Sequence, residues 1–215
     1  MSRDSFADVL ARLQASVVAE SERMGHIPII VAAQDLNILA GYWSNFPKHG
    51  VRFEIFNDRA DAVVQHGPCG DVLWMDPFSN SYRAVYGRFL KTSWGVQADL
   101  TNSGYDVDHV YNRARAKLYG YRLVRMFLVH GLINQAHGRE YEKQIGAVEA
   151  GRSPKPMKLL DGMSDLKVWG FPPVKDGLLT QEHYAAARLA AQNYGLSLDA
   201  AVNTLLVMFN RAHPS

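Results

Sequence analysis

The sequence predicts an α+β fold: a small mixed sheet with flanking helices and a helical C-terminal tail, in a single domain spanning residues 1–215. Three observations predict it. Apolar residues recur at three- and four-residue steps near the N-terminus, short branched or alternating runs fill the middle, and an alanine-rich helical pattern closes the chain. A length of 215 residues supports one sizeable core, and a hydrophobic content of 47% is that of a globular chain.

Residues 3–24 read as a helix, because Phe6, Val9, Leu10, Leu13, Val17 and Val18 share a face with Arg12, Gln14 and Glu20 between them. Gly25 and Pro28 end it, and the branched run 26–33 predicts a buried strand. Asp35 is placed to cap a helical segment over 37–42. The clean alternation of 51–56 (VRFEIF) predicts a strand with one wet face, and 60–65 and 72–75 predict two more, joined through HGPCG. Residues 82–91 read as a helix, although Gly87 costs it about 1 kcal/mol against Ala. A short element follows at 105–109, then a helix over 111–119, a strand over 121–129 and a polar helix over 131–145. The stretch 151–156 (GRSPKP) is an exposed linker and the one place where a sub-boundary could fall. Thr180 caps a helix through Asn193, and a last helix runs to Phe209.

A formal net charge of +2 identifies no partner by itself. The single cysteine, Cys69, excludes an internal disulfide and a multi-cysteine zinc site. The charged N-terminus lacks a signal-peptide pattern and no apolar run is long enough to span a bilayer, so the expected location is cytoplasmic, with no membrane partner. An effector delivered by a non-classical route would look the same. HGPCGD lacks the Gly-Lys-Ser/Thr ending of a phosphate loop, and His66 with Cys69 reads as loop chemistry rather than a thiol catalytic pair. Tyr42, Trp43, Phe78, Tyr82, Tyr86 and Trp94 suit either a core or a base-stacking surface.

Residues 105–143 carry the most chemistry. Asp106, Asp108 and His109 fall within four positions, and His130, Asn134, His137, Glu140 and Glu142 follow the strand. From His109 to Lys143 there are seven Arg or Lys against two Glu, a patch that attracts a polyanion if the charges share a face. Asp106 reads as a turn cap after Gly104 and His130 as a structural residue of the strand–helix junction. A histidine is the natural base for activating water, and a neighbouring carboxylate can hold a hard divalent ion.

Asp108-His109, a following strand and then Asn134 on a helix resemble the strand–strand–helix core of the HNH, or His-Me finger, nuclease superfamily, over about forty residues of the 215. The resemblance implies His109 as general base, supported by Asn134. It implies Mg²⁺ or Mn²⁺ on Asp108, with Glu142 and His137 as further candidate ligands, and DNA or RNA as partner. Arg113, Arg115 and Arg139 would contact phosphate. The family's second ligand follows its central Asn by eight or nine residues, where Glu142 and Lys143 stand here; His137 comes earlier. The paired cysteines of the zinc-stapled branch are absent.

The expected function is therefore metal-dependent hydrolysis of a nucleic-acid phosphodiester, of toxin or mobile-element type, provided Asp108, His109 and Asn134 converge. Two alternatives stay open: a nucleotide-processing enzyme, and a non-catalytic adaptor of a phage or secretion assembly. The adaptor would use Asp108 and His109 only for internal bonds and would meet a protein partner through the region after Gly151.

Overall fold

The computed structural model describes residues 6–24, 29–97, 99–101, 103–139, 155–173, 180–181, 183–185 and 188. Helix α1 (Phe6–Arg23) leads into strand β1 (Ile30–Ala33), helix α2 (Leu36–Ser44) and a short 3-10 turn, Pro47–His49. Strands β2 (Arg52–Ile55), β3 (Ala62–His66) and β4 (Val72–Met75) follow, then helix α3 (Tyr82–Trp94). Strand β5 (Tyr105–His109), helix α4 (Arg113–Leu118), strand β6 (Leu123–His130) and helix α5 (Gly131–His137) form the next unit. Strand β7 (Met157–Leu159) and helix α6 (Gly162–Val168) come last among the named elements. The α+β class is as the sequence predicts.

The sheet has seven strands in the order β2-β3-β4-β6-β1-β7, with β5 paired to β6. Every described pairing is antiparallel, so the sheet is neither small nor mixed. Apolar alternation reveals a strand but says nothing about its partner or direction. Strands β1 and β4 are buried along their whole length, whereas β2 lies at an edge and leaves Ile55 58% exposed. Residues beyond the 151–156 stretch rejoin this same sheet through β7, which pairs with β1. Neither β7 nor α6 is marked by a long periodic pattern. The extended helical tail expected after Thr180, with its alanine run, falls mostly outside the described residues.

Strand β6 is the spine. Its first half sits between β4 and β1, and its second half carries β5. The core gathers around it, with Trp74, Tyr86, Phe89, Phe127 and Leu128 all at 1% exposure or less. Helix α1 covers the face on which Arg125 points, and the Arg125 Nη1 donates to Glu20 Oε2 at 2.8 Å. The helix's polar side is also used inward: Gln14 Nε2 donates to the Val168 carbonyl at 2.9 Å.

The α2 cap is as the sequence predicts. Asp35 has extended backbone and accepts from the Ile38 N–H at 2.9 Å. Asp35→Ala is expected to cost about 1 kcal/mol, read as a lower urea midpoint with an unchanged slope.

Candidate functional site at the end of the β5–β6 pair

Strands β5 and β6 run antiparallel with Tyr105 facing His130 and His109 facing Met126. Helix α5 begins directly after His130. A strand sends successive side chains to opposite faces, so Asp106 and Asp108 share one face and Tyr105, Val107 and His109 the other. The contacts agree. Asp108 meets Lys167 of α6 at 2.5 Å, whereas His109 lies against the Tyr82 ring of α3, with centroids 5.1 Å apart. Adjacent in sequence, Asp108 and His109 diverge in space.

Asn134 is not brought to His109. Its Nδ2 donates to Asp106 Oδ2 at 3.0 Å. Asp106 is therefore a strand residue held by α5 rather than a turn cap. His109 is 3% exposed and its Nε2 has no hydrogen-bond partner. Burial, with the positive charges of Arg113, Lys167 and Lys117, pushes its pKa down to about 3. The ring is neutral at pH 7, but it is a weak and enclosed base.

His137, Arg113 and Arg115 are also engaged. His137 is 1% exposed and its Nε2 lies 2.9 Å from the Phe171 carbonyl, so that nitrogen acts as a donor. Arg113 binds the 77–80 loop, donating to the carbonyls of Pro77 and Ser79 and to Asn80 Oδ1. Arg115 is buried over the Tyr111 ring. Arg139 is exposed, and Glu142 lies outside the described residues. Among the described residues, no three His, Cys, Asp or Glu side chains gather as a metal-binding group.

The basic residues of this segment also do not share one face. Arg125 turns into the core toward Glu20, Arg122 pairs with Asp76, and Lys117 lies over the exposed Phe78 ring. Of the aromatic candidates, Trp43 and Tyr86 are core and Phe78 is 52% exposed.

What the fold does build is an open cleft of about 750 Å³ at the end of the β5–β6 pair. Arg83 of α3, Thr101 and Ser103 of the preceding loop, Asp106, His130 and Gln135 line it. Arg83 Nη2 stands 3.9 Å from Asp106 Oδ1. His130 is exposed, and its ring meets Tyr105 edge-on at 5.5 Å. The Gly131 N–H donates to the Gly104 carbonyl at 2.8 Å, and a Cβ at Gly131 would sit 3.2 Å from that same oxygen. Glycine thus allows the loop to close onto the strand–helix junction and shape one wall.

Comparison with protein-family models, curated proteins and solved structures gives no match. The cleft itself carries the functional argument. It pairs a solvent-facing imidazole with a carboxylate that accepts from Asn134 and stands near Arg83. The sequence reads His130 as a structural residue of the strand–helix junction and does not single out Arg83, since nothing local marks a strand-end histidine and a helix arginine as neighbours.

Asp106 offers one carboxylate to a cation. Mg²⁺ is commonly held by one or two carboxylates, with water and substrate phosphate completing its shell. Of the ligands the sequence suggests, Asp108 is engaged by Lys167 and His137 by Phe171, and Glu142 lies outside the described residues, whereas the Asp106 carboxylate lines the cleft.

Proposed function

We propose that the protein hydrolyses a nucleic-acid phosphodiester in the cleft at the end of β5 and β6. The observation that carries this reading is the convergence of Arg83, Asp106 and His130 on one open cleft, next to a strand–strand–helix unit. His130 is the base that takes a proton from water, since it is the solvent-facing imidazole of that cleft. Arg83 meets a phosphate oxygen through its guanidinium. Asp106, steadied by Asn134, would hold Mg²⁺ or Mn²⁺, and such an ion would supply charge neutralisation at the phosphate. DNA or RNA is the substrate class, because an open cleft admits a polymer that an enclosed pocket would reject.

The test is cleavage of plasmid DNA and structured RNA with Mg²⁺ or Mn²⁺, and with EDTA. His130→Ala is expected to lower the rate by about 10²–10⁴-fold. His109→Phe is expected to cut at close to the wild-type rate. Cutting that survives in His130→Ala but is lost in His109→Phe, with both folded, would return the base to His109.

A second reading rests on a different observation. Asp108 and Arg113 spend their charge on Lys167 and on the 77–80 loop, as a non-catalytic adaptor would have them do. It predicts no cutting by the folded wild type over a broad range of metals and pH.

A further inference from the structure

Strand β2 is one edge of the sheet, and among the described residues no strand pairs with its outer side. Its inner side pairs with β3 without a bulge, Arg52 opposite His66 and Ile55 opposite Val63. The same register continues to the Phe56 N–H, which donates to the Ala62 carbonyl at 2.9 Å. Antiparallel ladders alternate hydrogen-bonded and non-hydrogen-bonded pairs. Phe56, Glu54 and Arg52 therefore spend their backbone groups on β3, and the N–H and C=O of Phe53 and Ile55 point outward. The edge has no proline, no lysine and no bulge to guard it.

The side chains of this strand are sorted by face. Val51, Phe53 and Ile55 share one face, where Val51 and Phe53 pack against the core while Ile55 stays 58% exposed. Arg52 and Glu54 share the other, and both are exposed. That charged face borders an open cleft of about 630 Å³, which His66 and Asp71 also line. His66 turns Nδ1 to Asp71 Oδ1 at 2.9 Å, and Glu54 Oε2 stands 3.5 Å from its Nε2, beyond a good hydrogen bond. With its side chain 66% exposed, Glu54 keeps a carboxylate oxygen for a cation from outside the chain.

We infer that the partner of this edge is a second copy of the chain, its β2 paired antiparallel with this one about a two-fold axis at Phe53. In this register Arg52 faces the partner's Glu54, and Glu54 faces the partner's Arg52. Ile55 faces the partner's Val51 and leaves solvent. The outward backbone groups of Phe53 meet those of the partner's Phe53 as a hydrogen-bonded pair. Both ion pairs fall at non-hydrogen-bonded positions, where side chains stand closer together.

Charge selects the register. An axis centred on Arg52 or on Glu54 sets like charges directly opposite, which is destabilising. An axis between two residues opposes outward backbone groups to inward ones. Only the axis at Phe53 satisfies both the backbone and the charges within this strand. The pairing joins two seven-stranded sheets edge to edge. A ladder this short buries little area, so the association is weak and depends on concentration.

The test is sedimentation velocity of the full chain over a wide concentration series, which is expected to show a monomer–dimer equilibrium. Arg52→Glu and Glu54→Arg each turn two opposite-charge pairs into two like-charge pairs, and each is expected to weaken association by about tenfold or more. The double exchange Arg52→Glu/Glu54→Arg restores both pairs and returns association to near the wild-type strength. Ile55→Pro removes an outward N–H that β3 does not use, and is expected to abolish the dimer. All three positions are exposed on an edge strand, so the monomer keeps its fold, checked by urea unfolding. A chain that stays monomeric throughout overturns the inference and leaves the edge to a strand of another protein. A dimer that Arg52→Glu and Ile55→Pro leave intact also overturns it, as does a double exchange that fails to restore what the single exchanges lose. None of these outcomes bears on cleavage at His130, which is read separately.

Discussion

Glu20→Ala is expected to cost about 3–5 kcal/mol of folding stability, because it strands a buried guanidinium. Arg125 is 1% exposed in the centre of β6 and Glu20 is 4% exposed on α1. Their contact at 2.8 Å joins residues 105 positions apart and fastens the first helix to the spine of the sheet. An intact pair is not in itself a large source of stability, since desolvating two charges offsets most of their attraction. Losing one partner is different, since the remaining charge keeps its desolvation cost and has nothing to offset it. The double variant Glu20→Leu/Arg125→Met is therefore expected to recover most of the loss. Urea unfolding of both single variants and the double would show this as a coupling energy. If the double costs as much as the two singles combined, the loss comes from packing rather than from the unpaired charge.

Acid is expected to destabilise the protein through His109. Its folded pKa of about 3 lies below the ordinary value of 6.5. Between those values the unfolded chain binds a proton that the folded chain refuses. Stability is therefore fully present above pH 6.5 and is lost as pH falls toward 3. Over this window the single group contributes roughly 5 kcal/mol at most, at a slope approaching 1.4 kcal/mol per pH unit. His109→Phe keeps a ring beside Tyr82 and removes both the titration and the unpartnered Nε2. The variant is expected to lose less stability than wild type between pH 7 and pH 4. Equal losses in urea unfolding at the two pH values would assign the acid sensitivity to other groups.

These two residues also show why part of the molecule was hidden from one-dimensional reading. Glu20 stands among the polar spacers of an amphipathic helix, a pattern that ordinarily marks a wet face. It is dry because β6 supplies a cation 105 residues away. His109 beside Asp108 suggests a joint site, yet in an extended strand neighbouring side chains face opposite ways. Once residues 105–109 adopt β structure, Asp108 goes to Lys167 and His109 goes to Tyr82. Lys167 belongs to α6, a short helix opened by the Asp161 cap on the Ser164 N–H, and too brief to register as a periodic pattern.

The local signals are legible wherever a short stretch of chain decides its own structure. The alternation of 51–56 marks β2, the apolar quartet 72–75 is β4, and Asp35 caps α2. Class, element order as far as α5 and the strand–helix junction at His130 and Gly131 follow from such periods and caps, because backbone hydrogen bonding and side-chain spacing repeat over a few residues. Pairing, sheet order and both clefts belong to the tertiary structure alone. The antiparallel return of β6 along β5, the approach of Arg83 to Asp106, and the loop that brings Asp71 to His66 join groups the chain keeps apart. The sequence by itself determined the main elements as far as helix α5 and where their polar residues stand, while β7 and α6 emerged only in the structure. Only tertiary packing decided which of those residues are dry, paired or open to solvent, because burial and partnership depend on distant segments meeting in space.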